Sequence, residues 1–262
     1  MAVQTDEKAP QCGAFLFVLL FCLLILPVSL KASGCQPCNA DLQPVARVID
    51  GDTLLMRSGD KLRLIGINTP ELGHWGKPGE PGAQAAKALL QRLVRESGGR
   101  LALCPGVEKQ DRYGRQLVHL SDNNRQSIAA QLLRQGVGWA IAVPPNLVNN
   151  GCYFAAESRA RREQLGIWKN PPALASGLRG DETGFHHLRG RIVRVGESRS
   201  AVWVNLEGGL ALRITWKDWD AFRIDDPQAL VGRDVEARGW LYKRKGEQRL
   251  RIRHPSSLRL LD

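Results

Sequence analysis

The chain has 262 residues, 43% of them hydrophobic, with 37 Lys and Arg against 26 Asp and Glu and a formal charge of +11. That length exceeds one average domain and suits two, and the apolar fraction suffices for packed cores, which excludes an unfolded polyelectrolyte. The cationic surplus favours polyanions, nucleic acid or an anionic membrane, through counterion release, and is also compatible with solubility alone.

The amino terminus reads as a targeting segment. Ala14 to Leu26 is unbroken apolar sequence, and small residues follow at Ala32 to Gly34. The run is shorter than the ~20 residues that span a bilayer and has the length of a secretory core region with a cleavage site behind it. Residues 1–34 are therefore expected to be a signal peptide or, since Asp6 and Glu7 offset Lys8, an uncleaved membrane anchor. A lipoprotein reading at Cys35 is weakened by Ala32, where a large aliphatic residue is expected. The expected location is exported: periplasmic or secreted, with membrane association only through this segment. Of six cysteines, Cys35, Cys38, Cys104 and Cys152 remain beyond the leader, an even set that favours disulfides in an exported protein. The expectation is a local Cys35–Cys38 bridge or an idle thiol pair, with a Cys104–Cys152 pairing left open.

The first folded segment spans 42–169. Leu42 to Ile49 reads as a strand, Asp50-Gly51-Asp52-Thr53 as a turn, Leu54 to Met56 as a short strand, Ser58-Gly59-Asp60 as a second turn and Lys61 to Ile67 as another strand. Thr69-Pro70-Glu71 breaks that strand, because proline carries no ladder donor. A loop rich in Gly and Pro runs to Gly82; His74 and Trp75 within it are read as non-essential. Ala83 to Leu93 has helical spacing. Arg100 to Cys104 is a strand turned at Pro105-Gly106, Leu117 to Leu120 another, Ser127 to Arg134 a short helix, Trp139 to Val143 extended, and Ala155 to Leu165 an arginine-rich helix whose Arg159, Arg161 and Arg162 are expected to face water.

Taken singly, Asp50, Asp52 and Glu71 are ordinary surface carboxylates. As a set, the acidic turn, the Arg63 strand and Asn68-Thr69-Pro70-Glu71 form a long pattern, followed by Asp111-Arg112-Tyr113-Gly114-Arg115 and, more weakly, by Leu133-Arg134-Gln135-Gly136 and Leu165-Gly166-Ile167-Trp168. In that order the pieces resemble the staphylococcal nuclease (thermonuclease-like) family over residues 45–170. The resemblance implies a mainly β fold with α: an OB-type five-stranded barrel plus three helices.

Cutting a phosphodiester requires a delivered hydroxide, charge neutralisation on the phosphate oxygens and held geometry. A hard cation with oxygen ligands suits the second task. Asp52 and Asn68 are the candidate side-chain ligands and Thr69 offers its carbonyl, with Ca2+ or another divalent ion as the expected cofactor. The resemblance makes Arg63 and Arg115 the phosphate clamp and Glu71 the base or water-orienting residue, with Asp50 behind the ligand carboxylate and Tyr113 and Arg112 on the substrate. Replacing Arg63, Glu71 or Arg115 is expected to lower turnover without unfolding. Two departures stand out. Family members often carry aspartate at the Asn68 position, so one ligand charge is lost; and no second aromatic flanks the site near Val143 to Pro145. No zinc spacing, P-loop or GxSxG motif is present.

Residues 170–184, with two prolines and no periodicity, read as a linker. Within 185–262, strands near Arg189 to Val195, Ala201 to Leu206, Leu210 to Ile214, Asp234 to Tyr242 and Gln248 to Arg253, with a helical turn near Trp216 to Phe222, suggest a second small OB-like β-barrel. Trp203 and Trp240 sit among apolar strand residues and are read as core. The basic hairpin bearing Lys243, Arg244 and Arg251 is read either as a substrate-binding surface or as solubility.

The expected function is an exported, divalent-cation-dependent nuclease acting on DNA and/or RNA, with the second barrel aiding binding. The alternatives are a non-catalytic nucleic-acid-binding or scaffold protein on the same fold, and a membrane-tethered structural protein. No protein partner is inferable.

Overall fold

A computed structural model describes residues 1–3, 34–73, 76 and 78–261. Residues 4–33 of the expected leader, with His74 and Trp75, lie outside the described residues. Residues 33–262 form one compact unit. Among the described residues no helix is long and apolar enough to cross a membrane.

The first barrel is built from β1 (Leu42–Val48), β2 (Thr53–Met56) and β3 (Lys61–Leu64). A short strand β4 (Ile67–Asn68) and helix α1 (Ala83–Glu96) precede β5 (Arg100–Gln110) and β6 (Gln116–Ser121). The sheet closes in the order β1-β2-β3-β6-β5, with β3 and β6 parallel. Alternation drives the closure: Leu54, Met56, Leu62, Leu64, Val118 and Leu120 all point into one core. Three further elements cover the barrel: α2 (Ile128–Arg134), β7 (Trp139–Ala140), which pairs antiparallel with β4, and α3 (Asn150–Arg162). Ser127 caps α2 by accepting from the Ala130 amide.

Two sequence readings change here. The Pro105-Gly106 turn is an irregularity inside the long strand β5, whose register against β6 shifts between Pro105 and Gln110. Helix α3 begins at Asn150, five residues before the periodicity suggested, because Cys152, Tyr153 and Phe154 pack inward ahead of the arginine-rich turns.

The paired motifs Arg134-Gln135-Gly136 and Leu165-Gly166-Ile167 prove to be one contact. Gly136 and Gly166 meet backbone to backbone, with Ile167 N–H donating to the Gly136 carbonyl at 2.9 Å. Both have positive φ; a Cβ on Gly166 would strike the Gly136 carbonyl, and one on Gly136 would strike the Leu165 carbonyl.

The cysteines pair otherwise than expected. Cys35 bonds Cys152 of α3, and Cys38 bonds Cys104 of β5. The segment 35–38 is laid across the barrel by two hydrogen bonds between the Gln36 backbone and the Asn149 side chain, so each thiol faces a different element and neither faces its neighbour.

The second barrel opens with β8 (Ala173–Leu174), β9 (Gly184–Ser198), β10 (Ala201–Leu206) and β11 (Ala211–Thr215). A short helix α4 (Trp216–Trp219) and 3-10 turns precede β12 (Asp234–Arg244), β13 (Glu247–Ile252) and β14 (Leu258–Leu261). The ring runs β9-β10-β11-β13-β12 and closes through β12 on β9. The stretch read as linker is partly structured: β8 runs parallel to β9, and Ala175 is buried in the second core.

Trp203 and Trp240 are not core. The inward positions of β10 are Val202, Val204 and Leu206, so Trp203 faces outward beneath Arg213 and Arg249. Trp240 is 46% exposed on the outer face of β12. Strand alternation outweighs hydrophobicity at both sites.

The two barrels share a charged seam. Arg238 donates to Glu157 of α3 at 2.5 Å and to the Ala140 carbonyl at 3.1 Å, with all these groups buried. Glu236 accepts from Arg161 at 2.5 Å and from Arg259 at 2.8 Å, and lies 3.2 Å from His187. Arg161 is therefore an interface residue, in place of the solvent-facing role its helix position suggested.

Candidate active site

The DGDT turn between β1 and β2 sets Asp52 at the head of β2. Gly51 is required there, because a Cβ would collide with Thr69 and Ala86. Thr53 is paired directly with Arg63 across the β2–β3 ladder, which brings the adjoining Asp52 to the guanidinium. Arg63 leaves the outer face of β3, and the turn from Leu64 to Thr69 folds back over it. Its Nη1 donates to the Leu64 and Ile67 carbonyls at 2.7 and 2.8 Å. Its Nη2 lies 3.0 Å from Asp52 Oδ2 and 3.0 Å from Asn68 Oδ1. Thr69 N–H and its hydroxyl both donate to Asp52 Oδ2, at 2.8 and 3.1 Å. Asp50 Oδ1 accepts from the Asp52 amide at 3.0 Å.

Asp52, Arg63, Asn68 and Thr69 thus form one buried cluster. Burial pushes the Asp52 carboxyl up to about 6; Arg63 opposes this and Asp50 adds to it. Glu71 stands exposed at the edge of the cluster. Partial burial first and then Asp50 raise its carboxyl above the usual range, while Arg63 and Arg115 pull the other way. These mutual influences place Glu71 in the field of Asp50, Arg63 and Arg115.

The D-x-Y-G-R motif folds as a self-capped turn. Asp111 Oδ1 accepts from the Tyr113 and Arg115 amides at 2.8 and 3.1 Å, and its Oδ2 holds Arg115 Nε at 2.6 Å. Burial disfavours the Asp111 charge, yet these hydrogen bonds hold its carboxyl below the ordinary range. Arg115 enters β6, which lies beside β3, and remains partly open to solvent. Tyr113 is 67% exposed, with the Arg112 and Arg115 guanidinium groups over its ring.

Lys243, Arg244 and Arg251 are not part of this cluster. They are exposed on the second barrel, at the β12–β13 hairpin and the outer face of β13. Arg63 also differs from a free phosphate fork, since each terminal nitrogen already faces two protein acceptors. Arg63→Ala would strand the buried Asp52 carboxylate, so this variant is expected to lose stability as well as turnover. Two contributors escaped the sequence reading. Asp111 orients Arg115, and its place in the motif was the available signal. Glu80 accepts from the Glu71 amide at 2.9 Å, and nothing in its Gly- and Pro-rich loop marks it.

The donor set suits a hard cation. Asp52 Oδ2 and Asn68 Oδ1 converge on one guanidinium nitrogen, so both lie within reach of one small positive charge, and the Thr69 carbonyl adjoins Asn68 Nδ2 at 3.4 Å. Among the described residues no group of three or more His, Cys, Asp or Glu side chains is placed as metal ligands. A cation held here would depend on amide and main-chain oxygens beside Asp52.

Residues 61–170 match the family described as "Staphylococcal nuclease homologue", a span that contains Arg63, Asn68, Thr69, Glu71 and Arg115 and begins after the acidic turn. The thermonuclease of Staphylococcus hyicus is 29% identical over 143 residues, covering 53% of this chain and 83% of that protein. A "Probable endonuclease LCL3" from Verticillium alfalfae is 26% identical over 161 residues, covering 56% of this chain and 55% of that protein. The thermonuclease of Staphylococcus intermedius is 31% identical over 128 residues, covering 48% of this chain and 74% of that protein. With that identity to the Staphylococcus intermedius thermonuclease and three quarters of its length covered, the chain belongs to the staphylococcal nuclease homologue family.

Proposed function

We propose that this chain is a nuclease that hydrolyses phosphodiester bonds of DNA or RNA at the open end of the first barrel. The observation that carries this reading is the convergence of Asp52, Asn68 and Thr69 oxygens beside Arg63, with Glu71 and Arg115 at the rim. The names of the thermonuclease and endonuclease relatives support it.

In this reading Arg115, held by Asp111 yet partly open, grips the phosphate as a planar fork. Glu71 takes a proton from the attacking water or orients it. Tyr113 and Arg112 stand where the nucleotide on one side of the break would rest. Arg63 shapes the buried cluster and contributes positive charge behind the scissile phosphate. Asp52, Asn68 and the Thr69 carbonyl would hold a divalent cation, with Ca2+ first in line, and such an ion supplies charge neutralisation to the phosphate oxygens. With an amide at position 68, the site has one negative charge fewer than an all-carboxylate set, so the cation is held more weakly.

The two disulfides support export to an oxidising compartment. The second barrel, basic on its hairpin, is assigned to substrate binding.

The decisive experiment incubates the purified protein with DNA and with RNA, in calcium or in chelator, for the wild type, Glu71→Gln and Arg115→Ala. Cleavage that requires the cation and falls by about two to four orders of magnitude in both variants, with unchanged melting temperature, is the expected result. Folded variants cutting at the wild-type rate would reject the site. Binding without cleavage under all conditions would favour the scaffold reading.

A further inference from the structure

The seam between the barrels carries a row of rings that nothing in the proposed chemistry uses. Asn68 and Trp139 are opposed in the antiparallel β4–β7 ladder, so their side chains leave the same face of that ribbon, opposite the buried Ile67 and Ala140. The Trp139 ring lies 5.2 Å from Phe185 of β9. Phe185 is in turn opposed to Trp240 in the β9–β12 ladder, with ring centroids 5.2 Å apart and the planes nearly perpendicular. A chain of aromatic contacts therefore starts beside a residue of the candidate cation cluster and ends on an exposed tryptophan of the second barrel. Tyr242 follows two positions later on the same strand face, and exposed Lys243, Arg244 and Lys245 complete the hairpin beyond it.

A lone exposed tryptophan is unremarkable. This one is the outer end of a contiguous row that begins at the site and runs toward cationic side chains. A groove on the second barrel, about 720 Å³, offers no free ring face: its tryptophan, Trp203, already lies beneath Arg213 and Arg249, and Glu197, Glu207 and Glu247 line it beside Arg194.

We propose that Trp139, Phe185 and Trp240 form a stacking track, with Trp240 as the accessible platform, for the bases of a single-stranded nucleic acid running from the cleavage site onto the second barrel. The proposal rests on the nuclease reading for its direction. Its chemistry is that of ring faces meeting unpaired bases while nearby Lys and Arg meet phosphates, which needs unstacked strands and is indifferent to sequence. A duplex, whose bases are already stacked on each other, gains nothing from it.

The test is fluorescence anisotropy of the full chain with a labelled oligothymidylate long enough to span both barrels, and with an abasic strand of the same length. Chelator prevents cleavage, so binding is read whether or not the protein is a nuclease. Stacking on one platform corresponds to about 5- to 150-fold in affinity. The wild type should bind the oligothymidylate more tightly than the abasic strand by a factor in that range. Trp240→Leu, which keeps apolar cover for Phe185, should lose most of this difference, and Trp240→Tyr should retain it. Thymidine 5'-(p-nitrophenyl phosphate), too short to reach the second barrel, should be turned over equally by the wild type and Trp240→Leu. Equal binding of oligothymidylate by the wild type and Trp240→Leu, or no preference of the wild type over the abasic strand, would overturn the track and leave Trp240 as a seal on the seam. Failure of the nuclease reading shows separately, as absence of hydrolysis in calcium.

Discussion

The two barrels share one winding and spend their charges differently. Each runs three antiparallel strands, a helical insertion and two closing strands, in the ring orders β1-β2-β3-β6-β5 and β9-β10-β11-β13-β12, with the third and fifth strands of each parallel. The first draws Asp52, Arg63 and Asn68 out of water at one end and leaves Glu71 and Arg115 at the rim. The second packs an apolar interior, sets its buried Glu236 and Arg238 and the partly buried Arg253 against the first barrel, and exposes Lys243, Arg244 and Arg251 on its hairpin and outer face. Only the first is crossed by disulfides. One topology can carry a site or a brace; what separates them is where the desolvated charges lie.

The sharpest way to break this comparison is to cut the brace. Arg238→Ala would leave Glu157 as an unpaired buried carboxylate, at a cost of about 3–5 kcal/mol. It would also free the Ala140 carbonyl on β7, the strand that pairs with Asn68. Thermal unfolding should show a large drop in melting temperature. Replacing Arg238 and Glu157 together by Met and Leu should restore only part of it, because the Ala140 amide and carbonyl both lose their partners; a single variant as stable as the wild type would show that the barrels stand independently. For the same reason, deleting 185–262 is expected to destabilise the first barrel, beyond weakening substrate binding.

The next test concerns the covalent ties. Opening the Cys38–Cys104 bridge with Cys38→Ser and Cys104→Ser releases a segment with a sequence separation of 66 and should cost roughly 2–4 kcal/mol. Denaturant unfolding, followed at the first barrel and at the second, should show the loss in the first. An equal shift of both transitions would mean that the seam makes them one cooperative unit.

The smallest effect is in pH. Burial holds the His187 ring below its ordinary value, despite Glu236 beside it. Burial also disfavours the Glu236 charge, yet His187, Arg161 and Arg259 hold that carboxyl well below the usual range. Both groups bind protons more readily unfolded. The His187 contribution is therefore lost as pH falls through about 6.5, and that of Glu236 as pH falls below about 4.5. Melting temperature should decline on acidification, and the gap between the wild type and Glu236→Gln should narrow toward pH 4. A gap that stays constant with pH would remove Glu236 from the account.

Much of the first barrel was legible because its signals are local. The turn residues at Asp50 to Thr53 and Ser58 to Asp60, the break at Pro70 and the helical spacing from Ala83 each act within a few residues of themselves. Asp111 was legible as part of a motif, because Asp111, Tyr113 and Arg115 close a single turn. The second barrel's strands were legible from alternation, but the sides of Trp203 and Trp240 were misjudged, because apolar neighbours were weighed above register. The cysteine pairing, the role of Arg161 and the place of Glu80 were not legible, since each depends on a partner remote in sequence or on a loop path without periodicity.

By itself the sequence determined the order of strands and turns, the acidic turn, the Arg63 strand and the Glu71 break, because period, proline and glycine act on the chain locally. Tertiary structure alone decided that Arg63 lies sheathed by Asp52, Asn68 and two carbonyls, that Cys35 and Cys38 part company, and that Arg238 reaches across to the strand beside Asn68. Those outcomes depend on desolvation and on contacts up to 117 residues apart, and no local pattern encodes either.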